Sequence, residues 1–97
     1  MFAKSPLDKL PEKLSHGAVI DALRTAIIAE LDAISFYLQV ASRVEDPEVR
    51  RVFEDVAREE KAHVGEFLAL LERLDPEQAR MLEEGRKEVE ELTAKKD

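Results

Sequence analysis

Ninety-seven residues make one small domain at most, and a core of that size is marginal unless the chain finds a second apolar surface to pack against. The absence of cysteine rules out a disulfide framework and any thiolate metal site, so a metal would be held by oxygen and imidazole nitrogen, which points to iron, manganese or zinc. A net charge of -7 argues against nucleic acid or an anionic membrane surface as partner, and the apolar runs fall far short of the roughly 20 residues that span a bilayer.

Residues 1–15 contain Pro6 and Pro11 and lack a sustained period, so they read as an irregular lead-in. Met1-Phe2-Ala3-Lys4-Ser5-Pro6 carries no apolar signal-peptide core, and a cytoplasmic location is expected. Ser15 or the neighbouring His16 is placed to cap a first long helix over 17–44, a stretch without proline and rich in Ala, Leu and Ile. Glu45-Asp46-Pro47-Glu48 breaks and restarts the helix: Asp46 suits the N-cap, Pro47 the first helical position and Glu48 the first turn. A second helix follows over 47–73. Asp75-Pro76-Glu77 repeats the signal and opens a shorter third helix over 76–92, whose thin apolar stripe of Met81 or Leu82, Val89 and Leu92 is weakened by Gly85. That helix is expected to dock on a neighbour and to fray at Lys95-Lys96-Asp97. With no β-type alternation and no long repeat, the fold class is all-α.

The connection at residue 46 is short enough to force the two long helices into an antiparallel hairpin. Their apolar stripes are each interrupted by metal-ligand side chains. The first stripe reads Leu23, Ile27, Glu30, Ile34, Tyr37, Ala41, Val44; the second reads Val49, Phe53, Val56, Glu60, His63, Phe67, Leu70, Leu74. In a hairpin turning near residue 46, facing residues have numbers that sum to about 91 or 92, so Glu30 is level with the middle of Glu60-Lys61-Ala62-His63. All three lie about 15 residues, or ~22 Å, from the turn.

Glu60 and His63 form a Glu-x-x-His pair, and this spacing puts both on one face, able to bind one metal or to bridge two. Ferritin-like di-iron and di-manganese sites use a Glu from each of two helices and a Glu-x-x-His from each of two others. This chain holds half of that set, and two copies about a two-fold axis would complete both the site and a four-helix bundle. Either Glu60 or His63 alone is more simply a register-fixing buried polar residue. For three at one height, desolvating up to six ionisable groups in a paired core without a cation would cost several kcal/mol per unpaired charge, which favours metal.

Other candidates carry less. Tyr37 lies two turns from Glu30, and its hydroxyl could hydrogen-bond a ligand or its ring donate an electron; a core tyrosine is the equal alternative. Asp32 and Glu59 flank the ligands but fall off the stripes, where they either guide cations or are simply solvated. Glu66 reads as surface, and His16 as structural or exposed.

The run Glu30-Leu31-Asp32-Ala33-Ile34-Ser35-Phe36-Tyr37, followed by Arg58-Glu59-Glu60-Lys61-Ala62-His63, resembles the encapsulated ferritin-like proteins of the rubrerythrin branch of the ferritin-like superfamily. The resemblance covers the two long helices. It implies a half-ferritin whose paired chains make a di-iron ferroxidase centre, two irons per pair, and whose dimers assemble into a decameric ring of five dimers. Such rings are cargo of encapsulin nanocompartments, where they oxidise Fe(II) with dioxygen or peroxide for storage by the shell. Glu30, Glu60 and His63 match the family's iron ligands, and Tyr37 a tyrosine beside the centre. Asp32 matches an acidic residue on the route of iron to the centre, where the family often has Glu, and Phe36 stands where a tryptophan can occur. One departure concerns the end of the chain, Leu92-Thr93-Ala94-Lys95-Lys96-Asp97, where the family's cargo usually has an apolar docking peptide. A missing peptide, a fusion to the shell and a life outside encapsulins remain open on that ground. A rubrerythrin-like peroxidase is a less suitable enzyme, since a four-cysteine rubredoxin module is absent from these residues. The rival from another class is a metal-free helical dimerisation module.

Overall fold

The structure, a computed structural model, describes residues 12–94; the first eleven residues of the lead-in and the expected fraying at 95–97 lie outside this range. It is all-α among the described residues, with helices α1 (His16–Ala41), α2 (Pro47–Leu74) and α3 (Pro76–Ala94). None is long and apolar enough to cross a membrane.

Each helix start follows from its capping chemistry. Ser15, not His16, caps α1: its backbone is extended and its hydroxyl accepts from the Ala18 N–H at 3.2 Å. The Asp46 carboxylate accepts from the N–H groups of Glu48 and Val49 at 2.9 and 3.3 Å, with Pro47 in the first turn. Asp75 both ends α2, its N–H bonded to Leu71 O at 2.8 Å, and caps α3, its carboxylate accepting from Gln78 N–H at 3.1 Å. An Asp46→Ala change is expected to remove about 1 kcal/mol of stability with the fold intact, read as a lower denaturant midpoint at constant m-value. An Asn at the same position should lose far less, because its side-chain oxygen can still cap.

α1 ends three residues short of the expected Val44. Ser42 and Val44 donate to Leu38 O and Val40 O, and Arg43 to Val40 O, each at 3.0 Å, so the helix closes in a tightened turn. The Arg50 guanidinium then takes Val44 O at 2.7 Å. α3 runs two residues past the expected Leu92, to Ala94.

α1 and α2 pack along their length as an antiparallel hairpin, and α3 packs along α2, with the Arg24 side chain of α1 reaching its first turn. The register is close to the expected one: Glu30 meets Glu60 and His63 across the hairpin, and the rings of Tyr37 and Phe53, whose numbers sum to 90 against the expected 91 or 92, lie 5.9 Å apart. The seam on α2, however, is rotated from the expected stripe. Its most buried residues are Ala57 and Leu71, with Val64 and Leu68 half-buried between them, whereas the stripe residues Val49 and Leu70 are exposed. On α1 the buried positions are Ile34 and Ala41, both on the expected stripe. α3 buries none of its described residues; Leu82 is half-covered, while Val89 and Leu92 are 58% and 71% exposed. Only its first half therefore docks as expected.

Candidate metal centre

Glu30 sits in the middle of α1, and Glu60 and His63 sit one turn apart in the middle of α2. The hairpin brings one ligand atom of each within 4.8 Å of the others. His63 Nδ1 lies 3.5 Å from Glu60 Oε2 and 3.7 Å from Glu30 Oε2. Both contacts are at or beyond the range of a hydrogen bond. Donors about 2.1 Å from one ion stand roughly 3 to 4 Å apart, so these separations suit a shared cation better than direct pairing.

Burial differs across the set in a way that matters chemically. The side chains of Glu30 and Glu60 are about one-fifth exposed, whereas His63 is 44% exposed. Glu30 Oε2 is shielded from solvent and has no hydrogen-bond partner. A carboxylate oxygen held dry without a donor is unfavourable by a few kcal/mol unless a proton or a cation meets it. With His63 as the nearest cationic candidate and too distant to bond, the donor set fits a metal: two hard carboxylates and one imidazole, with no thiolate to redirect the choice.

His63 lies at the rim because the α2 seam is centred on the line through Ala57, Val64 and Leu71. At 100° per residue, His63 falls about a quarter-turn from that line, on a flank it shares with Val52 and Leu70. Val52 is 62% exposed and Leu70 is also uncovered, so the ligand-bearing flank of the hairpin is apolar and open. Glu30 and Glu60 reach the same flank from within the seam.

The remaining sequence candidates are placed less closely. The Tyr37 ring packs edge-on against Phe36 at 5.7 Å and tilted against Phe53 at 5.9 Å, and its hydroxyl makes no hydrogen bond among the described residues. Asp32 and Glu59 are both exposed, outside the cluster of three. His16 is exposed at the start of α1, remote from the centre. The cross-helix contact that sequence reasoning missed is Arg24 with Asp75 at 2.7 Å; 51 residues apart and off both stripes, it left no periodic signal.

Comparison with known proteins agrees with this architecture. The sequence profile of the rubrerythrin family matches residues 21–96. A crystal structure of the encapsulated ferritin domain from Pyrococcus furiosus superposes with a TM-score of 0.88 at 48% identity, covering 100% of both chains. A ferritin-like-encapsulin shell fusion protein of Pyrococcus furiosus is 61% identical over 75 residues, which are 77% of this chain and 22% of that protein. An encapsulin nanocompartment cargo protein, EncC, of Myxococcus xanthus is 34% identical over 70 residues, 72% of this chain and 54% of that protein. The chain thus spans about a fifth of one full-length relative and about half of the other. A profile match that takes in Glu30, Glu60 and His63, and a fold shared from end to end with a solved domain, place the chain in the rubrerythrin family as an encapsulated ferritin-like domain.

Proposed function

We propose that this domain is half of a ferroxidase: two chains pair through the open flank that carries His63, and Fe(II) is bound and oxidised between them. The observation that carries the reading is the convergence of Glu30, Glu60 and His63 around a buried carboxylate oxygen that lacks a partner. Pairing about a two-fold axis doubles the set to four carboxylates and two imidazoles, enough for two irons. On α1 the same flank presents Ala26, Ala29 and Ala33, small side chains that let a partner helix approach closely.

Fe(II) is the substrate here. Two Fe(II) give up one electron each; with two protons these reduce dioxygen to hydrogen peroxide, or peroxide to two waters. The chain's own residues set the conditions. The carboxylates of Glu30 and Glu60 supply negative charge that favours the ferric product, and the neutral imidazole of His63 fixes position without adding charge. Phe53, Val56 and Phe67, a turn or two away on α2, exclude water once the flank is covered. Tyr37 takes the part of a nearby hydrogen-bonding or electron-donating group, and Asp32 and Glu59 of surface carboxylates that draw cations in.

A second uncovered apolar band, Ile28 at 64% and Leu31 at 51% exposure with Leu38, lies on the opposite flank of α1. Two contact faces per chain suit a closed ring of dimers, in keeping with a decamer. The relatives' names, one a shell fusion and one a nanocompartment cargo, support association of this domain with an encapsulin shell, by fusion or as cargo. Native mass spectrometry of the protein loaded anaerobically with Fe(II) tests the core of this reading. Even-numbered particles with two irons per pair of chains are expected. Even-numbered particles without tightly bound metal would make Glu30, Glu60 and His63 register residues of a metal-free bundle.

A further inference from the structure

α3 is joined to the hairpin through a single non-helical residue. Asp75, with φ -128° and ψ 89°, separates Leu74, the last residue of α2, from Pro76, the first of α3. Apolar packing does little to fix the direction α3 takes from this joint: none of its described residues is buried, and it packs against α2 but not along α1. What does reach it from α1 is Arg24. Its Nη2 donates to Asp75 Oδ2 at 2.7 Å, and Nε and Nη2 both lie 3.4 Å from Gln78 Oε1. Its Nη1 faces Asp21 Oδ1 at 3.5 Å, one turn back on its own helix. The guanidinium is thus aimed at the joint, its one short contact being with Asp75.

We infer that Arg24 is a positioning residue that locks the angle between α3 and the hairpin. Asp75 makes the lock effective because its two carboxylate oxygens have separate duties: Oδ1 caps α3 through Gln78 N–H, and Oδ2 takes the Arg24 guanidinium. Fixing that carboxylate therefore fixes the first turn of α3, and Gln78, in the same turn, lies at the edge of the guanidinium's hydrogen-bond reach. A planar fork with several donors suits this task, whereas the point charge of a lysine does not. The Arg24 side chain is 42% exposed, so the lock is sensitive to salt. The inference is independent of the metal centre, since α3 and Arg24 lie outside the cluster of Glu30, Glu60 and His63.

The chain has no cysteine, so Ser35→Cys on α1 and Glu90→Cys on α3, both exposed positions, allow a unique spin-label pair. Labelled metal-free chains, diluted into unlabelled ones, report the intrachain distance by pulsed electron resonance. A single narrow distribution is expected with Arg24 in place, at least twice as broad in Arg24→Ala, and intermediate in Arg24→Lys, with helix content unchanged. Asp75→Asn, which keeps a cap oxygen but loses the charge, should broaden it as well. A distribution as narrow in Arg24→Ala as in the parent overturns the lock and assigns the angle to Pro76 and the Leu82 contact. Should Arg24→Ala fail to fold, the parent in about 1 M NaCl provides the second test: broadening supports the lock, and an unchanged width overturns it.

Discussion

Replacing Glu60 and His63 together by leucine is expected to reduce iron oxidation to the uncatalysed background, a loss of about 100-fold or more, while helix content and chain pairing persist. Both residues project from the middle of α2 with intact helix on either side, so neither helix end nor cap is touched. The change removes two of the three ionisable side chains that converge on this flank, where Val52 and Leu70 stand exposed on either side of His63, and leaves Glu30 in place. Replacing buried polar groups by apolar ones of similar size is often neutral or stabilising for association. The two readings of the cluster therefore separate cleanly. If the residues hold iron, activity vanishes and pairing stays; if they only set register, pairing or its specificity changes and there was no activity to lose. Stopped-flow absorbance of ferric product, alongside circular dichroism and particle mass, decides between them. Unchanged oxidation in the double variant would sink the ferroxidase reading.

The second large effect concerns the hairpin seam. Ala57 is 1% exposed, and the register of the hairpin puts it level with Ile34, itself buried. A large residue on one helix opposite a methyl on the other sets the spacing of the two helices. Ala57→Leu should cost about 1–3 kcal/mol by overpacking, and Ile34→Ala about 2–5 kcal/mol by leaving a cavity. Combining them exchanges large for small across the seam, so the double variant should recover a substantial part of the summed loss. With Ala41 and Leu71 as the other buried positions among the described residues, the chain has little reserve, and either single variant should show a much lower melting temperature. Strictly additive losses in the pair would mean that the two residues do not meet across the seam.

Much of this protein is legible in one dimension. Helix starts at Ser15, Asp46 and Asp75 are local chemistry: an oxygen-bearing side chain caps the N–H groups two or three residues on, and proline fixes the first turn after Asp46 and Asp75. The height of the metal-ligand residues is equally local, since a short turn at residue 46 and a constant rise per residue leave one register, which the Tyr37 and Phe53 rings share. The order of the three candidate ligands along the stripes needed no further information.

What only the tertiary structure decided is how each stripe is divided. An apolar stripe spans well over a quarter of a helix surface, and periodicity weights all of it alike. Contact with α1 claims the side of α2 through Ala57 and Leu71, which leaves Val49, Val52 and Leu70 uncovered and His63 at the rim instead of in the seam. Packing settles this because each helix meets its neighbour along one line only, and residues a quarter-turn from that line stay open. The isolation of Glu30 Oε2 is likewise a product of folding, for His63, 3.7 Å away, comes from the other helix. So is the Arg24 clasp on Asp75: it joins residues 51 apart that share no stripe, and a single guanidinium bridging two helices has no period to betray it.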